Sequence, residues 1–243
     1  MKPFELRRVA LFANMEPRDL TSIAGAVRSS DVRRGVTLFS PGTPTVDVSF
    51  VLDGVVRLYR RGPDGVETTT GIVWPGGLLG AAALGQMGHH LDFADALTRV
   101  RVVELPTATL IEAARQSASV LGHLLDALAA RIAATYGDAG SVAQTNVSTR
   151  ILRVLRQLTP PDRVSSPASD TLMRLAIRIS HRDLARIVGS NRETVTRTLR
   201  SLETQGLIRR EQGHVVAVSI AAQLSDQSTP SGIRVVTRDS RPC

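Results

Sequence analysis

Five side chains in one short stretch carry most of the chemistry this sequence offers: Arg192, Glu193, Thr196, Arg197 and Arg200. On a helix, at about 100° per residue, Glu193, Thr196, Arg197 and Arg200 share one face, with Arg192 on its N-terminal flank. Val195, Leu199 and Leu202 fall on the opposite face and require burial. A guanidinium can donate two parallel hydrogen bonds to O6 and N7 of guanine, and a carboxylate can accept from N4 of cytosine. The outer face therefore matches base edges in the major groove of DNA. The plain alternative is a surface helix in which Glu193 and Arg197 form an i, i+4 ion pair worth about 0.3–0.5 kcal/mol.

The surrounding sequence supplies the elements that would position these groups. Ser180 with Asp183, and Ser190 with Glu193, have the Ser-x-x-acid spacing of a capping box, so two short helices are predicted. Gly189 between them permits a tight turn, and Leu184, Ile187 and Val188 give the first helix an apolar side. The second helix should end near Gly206. Leu207 to Arg209, a turn at Gln212-Gly213, and Val215 to Val218 then read as a β hairpin. Together they predict a helix-turn-helix with a β wing.

The segment IVGSNRETVTRTLRSLETQGLI closely resembles the recognition segment of the CRP/FNR family of bacterial transcription regulators: a Gly, a Ser or Asn, then Arg-Glu-Thr-Val and a second Arg. The resemblance implies a homodimer on double-stranded DNA. Arg192, Glu193 and Arg197 match the family's base-reading positions, implying a TGTGA-like half-site in an inverted repeat. Ser180, His181, Arg182, Asn191 and Thr194 match backbone-contacting positions, with Thr196 and Arg200 supporting them. RNA polymerase is the implied protein partner, and activation the implied direction of control.

Composition agrees with such a partner. Thirty Lys and Arg against 22 Asp and Glu give a formal charge of +8, which favours a polyanion. Cys243 is the only cysteine, so one chain cannot form an internal disulfide, a zinc site of the cysteine type or a cysteine-ligated iron–sulfur cluster. No nucleophile with an evident base, metal-spaced cluster or phosphate loop appears, so no enzyme is predicted. No stretch has the length and apolarity of a membrane span or secretory signal, and a cytoplasmic, membrane-free protein is expected.

The fold class expected is α+β: an N-terminal β-roll, a long dimerisation helix and a C-terminal winged helix-turn-helix. Residues 4–27 carry apolar positions at helical spacing and predict two small helices, the second starting around Pro17. The period then shortens to two, through Val36 and Leu38, Val46 to Leu52, and Val55 to Tyr59, with turns at Pro41-Gly42, Asp53-Gly54, Gly62 to Gly65 and Pro75 to Gly77. VLDGVVRLYRRGPDGVETTTGIVWPGGLLG is similar to the glycine-punctuated strands of the family's β-roll, a cyclic-nucleotide-binding-like jelly roll. The divisions expected are 1–118 for this sensor-like domain, 119–145 for the dimerisation helix, 146–222 for the DNA-binding domain and 223–243 for a disordered tail.

In cyclic-nucleotide-binding relatives, the turn after PGG holds Gly-Glu and, soon after, an Arg that pairs with the cyclic phosphate. Here Gly80 and Leu84 match, Ala81 replaces the Glu, and the Arg position falls at His90 or Leu91. The two losses would each remove charge-assisted bonds worth roughly 1.5–3 kcal/mol, so no cyclic AMP site is expected and no cofactor is predicted. A Thr-Ser pair that touches the base in relatives corresponds to Thr135 and Tyr136, the latter bulky enough to fill ligand space. His89 and His90 raise a haem alternative, against two solvated polar residues in a Gly-rich loop. An activator independent of ligand is thus set against a sensor switched by an unidentified small molecule, haem or redox signal.

After Leu105-Pro106 one helix is expected. Within it Leu121, Leu125, Leu128, Ile132, Thr135, Ala139 and Val142 alternate steps of four and three, the seam of a coiled coil. Val120, Leu124 and Ala129 widen the stripe, which leaves packing on the chain's own β domain as the alternative. Residues 150–158, RILRVLRQL, continue as an amphipathic helix into the DNA-binding module.

Overall fold

The computed structural model describes residues 3–85, 87–139, 146–159, 172–175, 177–212 and 214–219. The two N-terminal helices expected take the form of three short pieces: α1 (Pro3–Leu6), a 3-10 turn at Ala10–Phe12, and α2 (Pro17–Ala26). Pro17 stands in the first helical turn, where its missing N–H leaves no bond unmade. Leu6, Phe12, Leu20 and Ile23 are buried against the sheet that follows.

That sheet belongs to a roll built from β1 (Arg28–Val32), β2 (Thr37–Phe39), β3 (Asp47–Asp53), β4 (Val56–Arg61), β5 (Glu67–Val73), β6 (Leu78–Leu79), β7 (Phe93–Ala96) and β8 (Val100–Pro106). Among the described residues these strands form two antiparallel sheets, in orders β1-β8-β3-β6 and β2-β7-β4-β5. The first sheet is apolar on both faces: Val48, Phe50 and Leu52 meet the helices, while Val51, Val100 and Val102 meet Val56, Leu58 and Ala94 of the second sheet. Val36 and Val46, read as strand positions, are exposed instead, Val46 at 77%. Each is the residue immediately before its strand, β2 or β3.

The second sheet is different, because the outer face of its β4 carries Arg57 and Tyr59. Its ladder with β5 contains a bulge: the register passes from Leu58 opposite Gly71 to Tyr59 opposite Thr69, leaving Thr70 as an extra residue. The bulge reverses the alternation, turning Thr69 and Glu67 to the same outer face as Arg57.

A single helix after Pro106 was expected, and two are found: α3 (Thr107–Gln116) and α4 (Ala118–Ala139), broken at Ser117, whose extended backbone (φ −137°, ψ 112°) cannot continue the first. In α4, Val120 and Leu124 are buried in the chain's own core and Leu128 packs partly against it. Leu121, Leu125 and Ile132 are 45%, 57% and 55% exposed, forming an apolar stripe on the outer side. Thr135, Tyr136 and Ala139 lie in α4, but their side chains, and Val142 altogether, fall outside the described residues.

The C-terminal part contains α5 (Val147–Gln157), β9 (Leu172–Arg174), α6 (His181–Val188), α7 (Arg192–Thr204), β10 (Ile208–Glu211) and β11 (His214–Ser219). Ile151, Leu155, Leu184, Ile187, Val195, Leu199, Leu202 and Val215 form its core. β11 pairs with β10 as the wing and with β9 on its other edge, a strand the sequence reading did not anticipate. The whole is α+β, an N-terminal β-roll followed by a winged helix-turn-helix. The disordered tail expected at 223–243 lies outside the described residues.

Candidate nucleic-acid interface

The first helix of the pair starts as its sequence requires. Ser180 Oγ accepts from the Asp183 N–H at 3.1 Å and donates to Asp183 Oδ2 at 2.8 Å, which fixes the first turn of α6. The second helix departs from expectation, since its cap is Asn191, not Ser190: Asn191 Oδ1 accepts from the Thr194 N–H at 2.7 Å. Ser190 is already committed to ending α6, where its N–H donates to the Ala185 carbonyl at 3.0 Å past Gly189, which takes φ +61°. At the far end of α7, Gly206 adopts φ +71° and Leu207 N–H returns to the Leu202 carbonyl, turning the chain into the wing.

These caps hold α7 so that Val195, Leu199 and Leu202 are buried and Arg192, Glu193, Arg197 and Arg200 are exposed. The four, with half-buried Thr196, line one surface depression. The i, i+4 pair between Glu193 and Arg197 is not formed, and among the described residues the guanidinium groups of the three arginines have no salt bridge or hydrogen bond. Thr196 instead meets His181 Nδ1 at 3.0 Å, joining α7 to the start of α6. Ser180, His181, Arg182 and Arg192 border a second depression together with His214 of the wing, a residue the sequence reading passed over. Only the hairpin that follows Gly206 could have signalled His214, by bringing β11 back beside α6. Asn191 is exposed, with its carbonyl oxygen engaged in the cap, and Thr194 is half-buried.

The segment that holds ligand in nucleotide-binding relatives has a different surface. Gly80 takes φ +69° and opens a 3-10 turn at Ala81–Leu84. Ala81, Ala83 and Leu84 pack against the helical core, so the position that carries Glu in those relatives presents a methyl group. His90 lies flat on Phe39, ring centroids 3.7 Å apart, and its Cε1 comes within 3.3 Å of where a Cβ on Gly80 would stand. It is therefore not the solvated loop residue expected. Burial pushes its pKa below the ordinary histidine range, so at neutral pH the imidazole is uncharged and does not replace a phosphate-binding guanidinium. His89 forms a β-bridge with Pro44, and Leu91 is partly exposed. Arg131 of α4 is bound to Asp92 Oδ2 at 2.8 Å and to the Thr70 carbonyl at 2.9 Å, and Arg60 is bound to the other oxygen of Asp92 at 2.9 Å. Among the described residues no group of three His, Cys, Asp or Glu could hold a metal ion, and no helix is long and apolar enough to cross a membrane.

A roll joined through a long helix to a winged helix-turn-helix, with arginines free on its second helix, defines a DNA-binding transcription regulator. Comparison with known proteins agrees. Residues 149–225 match the Crp-like helix-turn-helix domain and residues 30–117 the cyclic nucleotide-binding domain. The chain is 30% identical over 186 residues to the transcriptional regulator SdrP of Thermus thermophilus, covering 75% of this chain and 86% of that one. It is 28% identical over 220 residues to the CRP-like cAMP-activated global transcriptional regulator of Mycobacterium tuberculosis, covering 90% and 96%. The solved structure of the c-di-GMP responsive global regulator CLP of Xanthomonas campestris has a TM-score of 0.63 over 84% of this chain and 99% of that one; at 23% identity it bears on the fold alone. The chain belongs to the CRP/FNR family of transcription regulators.

Proposed function

We propose that the protein is an activator that binds a TGTGA-like inverted repeat as a homodimer and does so without cyclic AMP. Arg192, Glu193 and Arg197 read base edges, and Ser180, His181, Arg182, Asn191 and Thr194 face the phosphate backbone, with Thr196 and Arg200 beside them. The observation that carries this reading is the exposed face of α7, whose guanidinium groups have no salt bridge or hydrogen bond among the described residues while its apolar face is buried. Leu121, Leu125 and Ile132 are exposed along α4, and pairing two copies there would cover them and present two reading helices to one side of a duplex. In this reading residues 1–118 form the sensor-like domain, 119–145 the dimerisation helix and 146–222 the DNA-binding domain, and the protein works in the cytoplasm with RNA polymerase.

Ligand independence is supported by Ala81 packed against the core and by a neutral His90 where nucleotide-binding relatives place charge. The match of residues 30–117 to the cyclic nucleotide-binding domain favours a second reading, a regulator switched by another small molecule. Fluorescence anisotropy on a duplex carrying two TGTGA half-sites as an inverted repeat decides between them. Equal affinity with and without cyclic AMP, 2-oxoglutarate or haem is expected. Binding that requires one of them establishes the second reading, and absence of sequence preference in every condition overturns both.

A further inference from the structure

Among the described residues, Arg57 is the bulkiest side chain with no solvent exposure, and neither a DNA-reading face nor a ligand pocket uses it. It lies on the outer face of the second sheet, under α6. Its Nε donates to Thr69 Oγ1 at 2.9 Å, and its terminal nitrogens donate to Glu67 Oε2 at 2.7 Å and to the Arg186 carbonyl at 3.5 Å. Thr69 Oγ1 in turn donates to the Ile187 carbonyl at 3.1 Å. Arg186 of α6 reaches back, its Nε 3.3 Å from Glu67 Oε2 and its Nη2 bonded to Asp95 Oδ2, while Thr37 donates to the other Asp95 oxygen at 2.7 Å. Thus β2, β7, β4 and β5 each contribute one or more groups to a single cluster around the last turn of α6.

Apolar contact accompanies it, since Ile72 and Leu97 of the roll pack against the helix-turn-helix core, but such contact has no direction. The polar cluster does. Two carbonyls at the end of α6 accept from Arg57 and Thr69, and two carboxylates hold Arg186, so moving α6 would leave the buried Arg57, Thr69 and Asp95 short of partners. The bulge at Thr70 is what turns Thr69 and Glu67 toward α6, and the carbonyl of that same extra residue accepts from Arg131 of α4.

We propose that Arg57, Glu67, Thr69 and Asp95 form a latch that fixes α6, and with it α7, at one angle on the roll, so that the reading helix is set for DNA in the absence of ligand. They are positioning residues, and the idea rests on the ligand-independent reading above. A head held in its binding orientation loses no affinity to unproductive placements, whereas a released one binds in proportion to the fraction of time it spends in that orientation.

The test uses the full chain and the substitutions Thr69→Val and Asp95→Asn, alone and combined. Asp95→Asn removes a negative charge, which by electrostatics alone would tighten DNA binding; the latch demands the opposite sign. Thr69→Val alters no charge. The double variant is expected to bind the inverted repeat roughly 5- to 30-fold more weakly, with the slope of affinity against salt unchanged because the phosphate contacts are the same. The sole tryptophan offers an independent readout: Trp74 Nε1 donates to the Gln157 carbonyl across the same junction at 3.1 Å. Its emission should shift to the red in the variant as the junction opens to water, while far-ultraviolet circular dichroism stays as in the wild type. Unchanged or tighter binding by either single variant, or unchanged Trp74 emission in the double variant, overturns the latch. Should the double variant fail to fold, Thr69→Val alone carries the same test with the same signs. Each comparison is made without nucleotide. A gain in wild-type affinity on adding cyclic AMP would overturn ligand independence and leave these comparisons standing.

Discussion

Two groups of arginines in this protein have opposite surroundings. Arg192, Arg197 and Arg200 stand exposed on α7 and, among the described residues, their guanidinium groups form no salt bridge or hydrogen bond; Arg57 has no exposure, and Arg186 beside it, though half exposed, is held by two carboxylates. A guanidinium free in water can exchange its hydration for a base edge or phosphate. One enclosed by carboxylates and carbonyls is already satisfied and serves to fix geometry. Position on the fold, and not residue type, separates a guanidinium open to a polyanion from one that fixes geometry.

Removing the enclosed member should give the largest effect. Arg57→Ala takes from Glu67 the nearest of its three guanidinium partners and leaves a void under α6, and is expected to cost about 2–5 kcal/mol of stability, measured by urea unfolding. Burial alone would raise the Glu67 pKa, but its hydrogen bond with Arg57, helped by Arg61 and Arg186, holds it below the ordinary value. Because the folded-state pKa is lowered, this stabilisation is present above the unfolded value of about 4.3 and fades as pH falls through the folded one. The wild type should therefore lose stability in that acid range more steeply than the variant.

Removing an exposed member should act on DNA and leave the fold alone. Arg197→Ala is expected to weaken binding by about 1–3 kcal/mol and to relax preference at one base pair, read from affinities across a set of single-position operator variants. A uniform loss over all sequences would place Arg197 on the backbone instead. The smallest effect belongs to a third kind of arginine, partly exposed in an ion pair. Arg210, whose Nε is 2.7 Å from Glu203 Oε2 between wing and α7, should cost less than about 1 kcal/mol of thermal stability when changed to Ala.

The exposed group was legible in the sequence because its signals are local. A Ser-x-x-Asp cap, a glycine at the turn and apolar steps of three and four all lie within residues 180–206. The error there was also local: Ser190 and Asn191 can both cap a helix, and the choice falls to Asn191 because the Ser190 N–H is spent on closing α6. The break at Ser117 and the three-residue strand β9 left no pattern long enough to detect. The enclosed group was not legible. Alternation around Val56 and Leu58 places Arg57 on an outward face, which reads as solvent, and its cover comes from Arg186 and Ile187 over a hundred residues away. Nor does composition reveal the bulge at Thr70, without which Thr69 would point to the other side of the sheet. In the ligand segment the missing Glu and Arg were visible by comparison with the family. The stacking of His90 on Phe39 required the fold.

The cap of α6 carries a further consequence. Asp183 closes the first helical turn with Ser180, which places a negative charge beside Arg182, where a DNA phosphate is expected to approach. Left alone, that carboxylate would repel the strand it sits beside. Arg34, from the turn between β1 and β2, donates to the same oxygen at 2.8 Å. The N-terminal domain thereby supplies the counter-ion for a helix start in the other domain, and a head cut away from the roll would meet its operator with one unneutralised anion more.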